Sequence, residues 1–239
     1  MTVLRPRFWH NCPLMTHAGI LKLAVVAQFL FGSLCVSLFA QENATVSFTL
    51  DFPGAEPSHY VIAIANDGHA TYDSNGKVSS QAEADDPYRV EFTASKGSRD
   101  RVFELAKKAH YFDGKIDSGR KNLASTGQKT LLYKDGSRNT QATYNYSPLP
   151  PVQELTDFFQ KLSNTLEFGR RLEYYFRFQK LALSDELKRM EELSQRGDLP
   201  EVNAIASVLQ RIAKDPAVIN VVRARAQRLF DHASLASGR

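Results

Sequence analysis

KTLLYKDGSRNTQATYNYSPLPPVQELTDFFQKLSNTL, residues 129–166, decides the fold class. Lys129 to Lys134 is a short apolar run that meets Asp135-Gly136, and Thr140 to Tyr146 returns with alternating polarity. That order predicts a β-hairpin. Pro148, Pro150 and Pro151 then close the sheet, because proline cannot donate to a strand ladder. From Pro151 to Leu166 the periodicity changes: Val152, Leu155, Phe158, Phe159 and Leu162 recur at helical spacing.

The same alternation of strand and helix extends upstream. Thr45 to Phe52 places Val46, Phe48 and Leu50 on one face, and Tyr60 to Ala65 is a second strand. Asn66-Asp67-Gly68 predicts a hairpin turn, with a short strand over Ala70 to Asp73. Tyr88 to Thr93 alternates again, between polar loops at 74–87 and a helix expected over 97–109. Ser95 is the cap of that helix, and Val102, Leu105, Ala106 and Ala109 form its apolar stripe. Tyr111-Phe112 follows it, and 114–127 reads as another loop. Downstream the chain reads as helical. Gly169 marks a restart, 170–194 carries Leu172, Phe176, Leu183, Leu187, Met190 and Leu193, and Ser184-Asp185 is a possible break. A helix over 201–214 follows, then a last one capped by Asp215 and opened by Pro216. The expected fold is α+β: antiparallel hairpins with two packed helices over 41–167, and a helical extension over 168–239.

Residues 1–40 have another character. Leu23 to Ala40 contains no charged residue and follows Arg5, Arg7 and Lys22. Basic, then apolar, then small is the layout of a secretory signal, with cleavage expected after Ala40. The alternative is a retained anchor, since 18 residues lie near the lower bound for crossing ~30 Å of hydrocarbon. Met15 offers a tidier start than Met1. The whole chain carries 30 basic and 26 acidic side chains; after Ala40 there are 27 and 26, so most of the basic balance belongs to the leader. The remainder does not have the footprint of a nucleic-acid binder. Within it, 41–168 holds 14 basic and 17 acidic residues, and 169–239 holds 13 and 9. Cys12 and Cys35 both lie in the leader, which excludes thiol catalysis, Cys-based zinc sites and disulfides from the exported part.

Motifs for chemistry are weak. Gly127-Gln128-Lys129-Thr130 lacks the adjacent Gly-Lys of a phosphate loop. His59 and His69 could meet across the first hairpin with Asp67 or Asp73, but no ligand spacing supports a metal. Asp73-Ser74-Asn75-Gly76 opens like a calcium loop without its distal Glu, and a polar turn is the better reading. No GxSxG or paired-carboxylate signature is present, so neither cofactor nor metal is expected. Asn43 and Asn145 head glycosylation sequons. The distinctive cluster is Tyr174-Tyr175-Phe176-Arg177-Phe178. On a helix these rings wrap most of the circumference, with Tyr174 and Phe178 on one side. Tyr174, Tyr175 and Phe178 are the candidate contacts for a protein or peptide partner; a membrane enters only if the leader is retained.

The order of elements over 46–166, with the helix Ser98 to His110 and Tyr111-Phe112 after it, is loosely similar to emfourin-like protease-inhibitor domains. Pro53-Gly54 stands where that family has a Gly-Gly feature, and no inhibitory residue carries over. The stretch from Asp215-Pro216 through Val222 and Arg225 to Leu229 resembles one helix of a HEAT-type repeat, of which a solenoid needs about three copies. The expected function is therefore an exported, non-catalytic binding protein. The alternatives are an inhibitor of a secreted protease and a hydrolase whose site is assembled from distant residues.

Overall fold

The alternating segments pair into a sheet. In the computed structural model, which describes residues 43–78 and 86–237 with side chains to 234, the strands are β1 (Thr45–Asp51), β2 (His59–Ala65), β3 (His69–Asn75), β4 (Tyr88–Thr93), β5 (Gln128–Lys134) and β6 (Asn139–Tyr144). They form an antiparallel sheet in the order β4-β3-β2-β1-β5-β6. β1 to β4 are a meander; β5 and β6 are a hairpin added to the free edge of β1 after a helical crossing. Register aligns the buried rows: Phe48 pairs with Ile62 on one side and Leu131 on the other, and Ile62 pairs with Tyr72. Because side chains alternate, this one register places the fully buried residues of β1, β2, β3 and β5 on the same face.

Helices α1 (Lys96–Lys108) and α2 (Pro150–Phe178) belong to the core under that face. Ser95 caps α1 as the sequence predicts, its hydroxyl accepting from the Ser98 amide at 3.2 Å. Phe159 of α2 stacks on Phe48 with ring centroids 5.3 Å apart and planes within 4°. Helices α3 (Leu183–Gln195), α4 (Ala206–Lys214) and α5 (Asn220–Ser237) continue the same core, so the α+β class with a C-terminal helical region is observed. The chain from Glu42 onward is one compact unit, and the 167/168 division drawn from sequence falls inside α2. The leader lies outside the described residues, as does the middle of the 74–87 loop. Among the described residues no helix is long and apolar enough to cross a membrane.

Four boundaries differ from the sequence expectation. The helix expected to end near Leu166 and the one expected from Arg170 are a single helix: α2 runs through Gly169, where a β-carbon would run into Ile205 Cγ2 and the bare backbone admits the 202–205 turn. One glycine costs a long helix only about 1 kcal/mol, and close packing uses its missing side chain. The break expected at Ser184-Asp185 comes earlier, at Gln179, where the backbone leaves helical geometry (φ −143°, ψ 59°). The last helix begins at Asn220, not Pro216, because Asp215 accepts from the Ala217 amide at 2.8 Å and holds a turn there. β3 extends to Asn75, so Asp73-Ser74-Asn75 is strand rather than turn.

The aromatic pair after α1 also has an unforeseen conformation. His110, Tyr111 and Phe112 all have positive φ (51°, 55° and 64°), which costs a non-glycine residue about 1–2 kcal/mol. Burial of Phe112, a ring contact between Tyr111 and Tyr133 at 4.6 Å and the Arg138 guanidinium over Tyr111 at 4.4 Å hold this turn.

Candidate functional site

The second half of α2 changes character along its length. Its buried stripe is apolar from Val152 to Leu162 and then carries Ser163, Glu167 and Arg170, all buried. Spacings of four and three keep these three on one helix face, and that face meets β3. Tyr72 donates its phenol proton to Glu167 Oε1 at 2.8 Å, and its oxygen lies 2.9 Å from Ser163 Oγ. Ser74 donates to the same Glu167 oxygen at 2.7 Å. A buried carboxylate is thus met by two hydroxyl donors, as a buried charge requires.

Arg170 continues the network outward. It is 4% exposed. Its Nη2 donates to the carbonyls of Gly76 (2.8 Å) and Asp86, so one side chain holds both ends of the β3–β4 connection. Its guanidinium lies 5.3 Å from the Tyr88 ring centroid and 3.6 Å from Glu167 Oε2. Nη1 has no hydrogen-bond acceptor. Burial, then the Glu167 charge, pushes the Tyr88 phenol up to about 12 against the opposing pull of Arg170. The Tyr72 phenol is raised further for the same two reasons. Both phenols are therefore neutral near pH 7, and Tyr72 uses its proton on Glu167.

A groove of about 300 Å³ opens over this network, lined by Tyr88, Arg170, Glu173, Tyr174, Arg177 and Phe178 with Val78 and Asp86. The predicted contact residues separate here. Tyr174 and Phe178 share the groove with ring centroids 5.2 Å apart, and Phe178 is 70% exposed. Tyr175 packs against the core instead, where burial, followed by the Glu186 charge, raises its phenol. The groove thus joins a half-buried Tyr174 and an exposed Phe178 to a buried, incompletely bonded cation, with charges of both signs on its rim.

A second cavity, about 390 Å³, lies beside the first half of α2 and reaches Lys129, Tyr144, Gln153, Thr156 and Asp157. Lys129 is 4% exposed, and burial lowers its pKa. Its ammonium donates to Thr126 O (3.0 Å), Thr126 Oγ1 (2.8 Å), Gly127 O (3.2 Å) and Asn145 O (3.0 Å). All four acceptors are neutral, and they occupy every proton of the amine. The lysine of the Gly127–Thr130 motif is therefore strand-borne and turned to carbonyls.

His59 and His69 are not brought together. His59 pairs with Asn75, at the opposite end of the hairpin from His69, which separates the two by roughly 20 Å of strand. His59 instead contacts Asp51 at 2.5 Å. Among the described residues no group of three acidic, histidine or cysteine side chains is placed to hold a metal. No protein-family model matches the sequence, and no curated protein matches it.

The sequence reading named Tyr174 and Phe178, which line the groove, and did not single out Tyr72, Glu167 and Arg170. One signal was available: polar residues at 163, 167 and 170 continue the apolar stripe of α2, a pattern that marks buried polarity rather than a solvated face.

Proposed function

We propose that the chain is an exported, non-catalytic binding protein whose protein or peptide partner seats in the groove at the C-terminal end of α2. The supporting observation is Phe178, a large apolar side chain held 70% exposed beside Tyr174 over the buried Arg170. Exposed aromatics beside an arginine are the composition of interface hot spots. Export rests on the basic and apolar pattern of residues 5–40.

The test uses residues 41–239, which contain the whole described core. Wild type and Tyr174→Ala/Phe178→Ala serve as baits in an envelope extract, and each captured protein is then purified and titrated directly. A partner that binds wild type and loses at least about tenfold affinity for the double variant, equivalent to ~1.4 kcal/mol, supports the groove. Equal affinity for both baits removes it. Tyr175→Ala is the control: it loses stability and keeps the partner.

A further inference from the structure

The helical region exposes a second set of apolar side chains, none of which lines the groove. Leu181 is 90% exposed in the corner between α2 and α3; Ile219 and Val221 are 60% and 55% exposed where the chain turns from α4 into α5. The two corners lie at one end of the helical region. Lys180 Nζ is 2.7 Å from Asp215 Oδ2, and Arg225 Nη1 donates to Ser184 O at 3.3 Å. The corners are held from beneath: Leu183, Val218 and Val222 are buried, and Asp215 caps its own turn. Exposure of the three aliphatic side chains is therefore built into the fold.

Charge says what covers them. Segments 177–185 and 211–223 carry five basic side chains (Arg177, Lys180, Arg211, Lys214, Arg223) and two acidic ones (Asp185, Asp215). Lys180 is neutralised by Asp215 and Arg211 by Glu173. Arg177 and Lys214 have no ion-pair partner among the described residues. The basic surplus of the C-terminal region thus gathers around its most exposed aliphatic residues. These residues stand on projecting corners and line none of the cavities described above. A rigid protein partner needs a shaped surface, whereas a lipid interface accepts protruding aliphatic side chains between headgroups and adds attraction for cations if the lipids are anionic.

We infer that this end of the helical region docks on an anionic lipid surface. Leu181, Ile219 and Val221 enter the headgroup boundary, and Lys214 with its basic neighbours sets the preference for negative charge. Leu181, Ile219, Val221 and Lys214 do not line the groove, whereas Arg177 borders both surfaces.

Co-sedimentation of residues 41–239 with vesicles tests this, because the segment lacks the apolar leader and contains the complete core. Two vesicle types are compared, phosphatidylcholine alone and phosphatidylcholine mixed with phosphatidylglycerol. The expected result is binding to the mixed vesicles that weakens with added salt. Leu181→Asp/Ile219→Asp/Val221→Asp is expected to lose more than about tenfold in partitioning while its thermal melt stays unchanged, because all three positions are exposed. Lys214→Glu is expected to narrow the difference between the two vesicle types. Wild type remaining in the supernatant with both vesicles overturns the inference, as does a triple variant that binds like wild type. A concentration-dependent dimer in sedimentation velocity that the triple variant abolishes, with no vesicle binding, assigns the surface to a second copy and overturns it too.

Discussion

Two buried cations mark α2, Lys129 beside its first half and Arg170 on its second, and they are satisfied in opposite ways. Lys129 is enclosed by four neutral oxygens, with no acid beside it and no donor left over. Arg170 has a buried carboxylate 3.6 Å away and two carbonyls on one nitrogen, while its other terminal nitrogen is unbonded. The larger cavity therefore surrounds a saturated cation and the smaller groove an unsaturated one. Cavity volume ranks the two sites one way and unmet hydrogen bonding the other.

The largest effect is expected from breaking the Arg170 end. Arg170→Ala leaves Glu167 buried without its cation and is predicted to cost about 3–5 kcal/mol in denaturant unfolding. Glu167→Met together with Arg170→Met removes both charges and is predicted to recover most of that loss. A single-variant cost below about 1 kcal/mol, the size of an exposed pair, would erase the distinction between the two ends.

A smaller effect is expected at the other end. Lys129→Met strands carbonyls rather than a carboxylate, and the adjacent cavity admits water to them. The predicted loss is about 1–3 kcal/mol, with the groove and its partner affinity unchanged. A cost equal to that of Arg170→Ala would mean that the two cations are equivalent.

The mildest test concerns acid. Asp135 accepts from the Ser137 and Arg138 amides, each at 2.7 Å, and these bonds from the backbone, with the Ser137 and Tyr133 hydroxyls, hold its carboxyl down at about 2 against an ordinary 3.8. A lowered folded-state pKa stabilises above the unfolded value, and that contribution is lost as pH falls through the folded one. Thermal melts of wild type should fall from pH 4 toward pH 2, and Asp135→Asn should flatten that part of the profile.

The sheet and helices were legible because their signals are local. Phe48, Ile62 and Leu131 sit on one face since alternation is a property of each strand, and Val152 to Leu162 follows helical spacing within a single segment. Ser95 was legible as a cap for the same reason. The continuity of α2 through Gly169 was not legible, because a glycine that ends a helix and one that admits a neighbouring chain look identical in one dimension; Ile205, which explains it, is 36 residues away. The aromatic pair Tyr174 and Phe178 was visible as composition, and its separation from Tyr175 was not, because that depends on which helix faces find partners.

By itself, then, the sequence determined the α+β class, most element positions, the thiol-free composition after Ala40 and the aromatic end of α2, all set by periodicities and charges read over a few residues. Tertiary structure alone decided that Glu167 meets Tyr72 and Ser74 across sequence separations of 95 and 93 residues, that Arg170 grips both ends of a loop, and that Leu181 and Ile219 stand at the same end of the helical region. The physical reason is that buried polar bonds and surface patches depend on which distant segments pack together. No local pattern encodes that choice, which is made when the apolar faces close into one core.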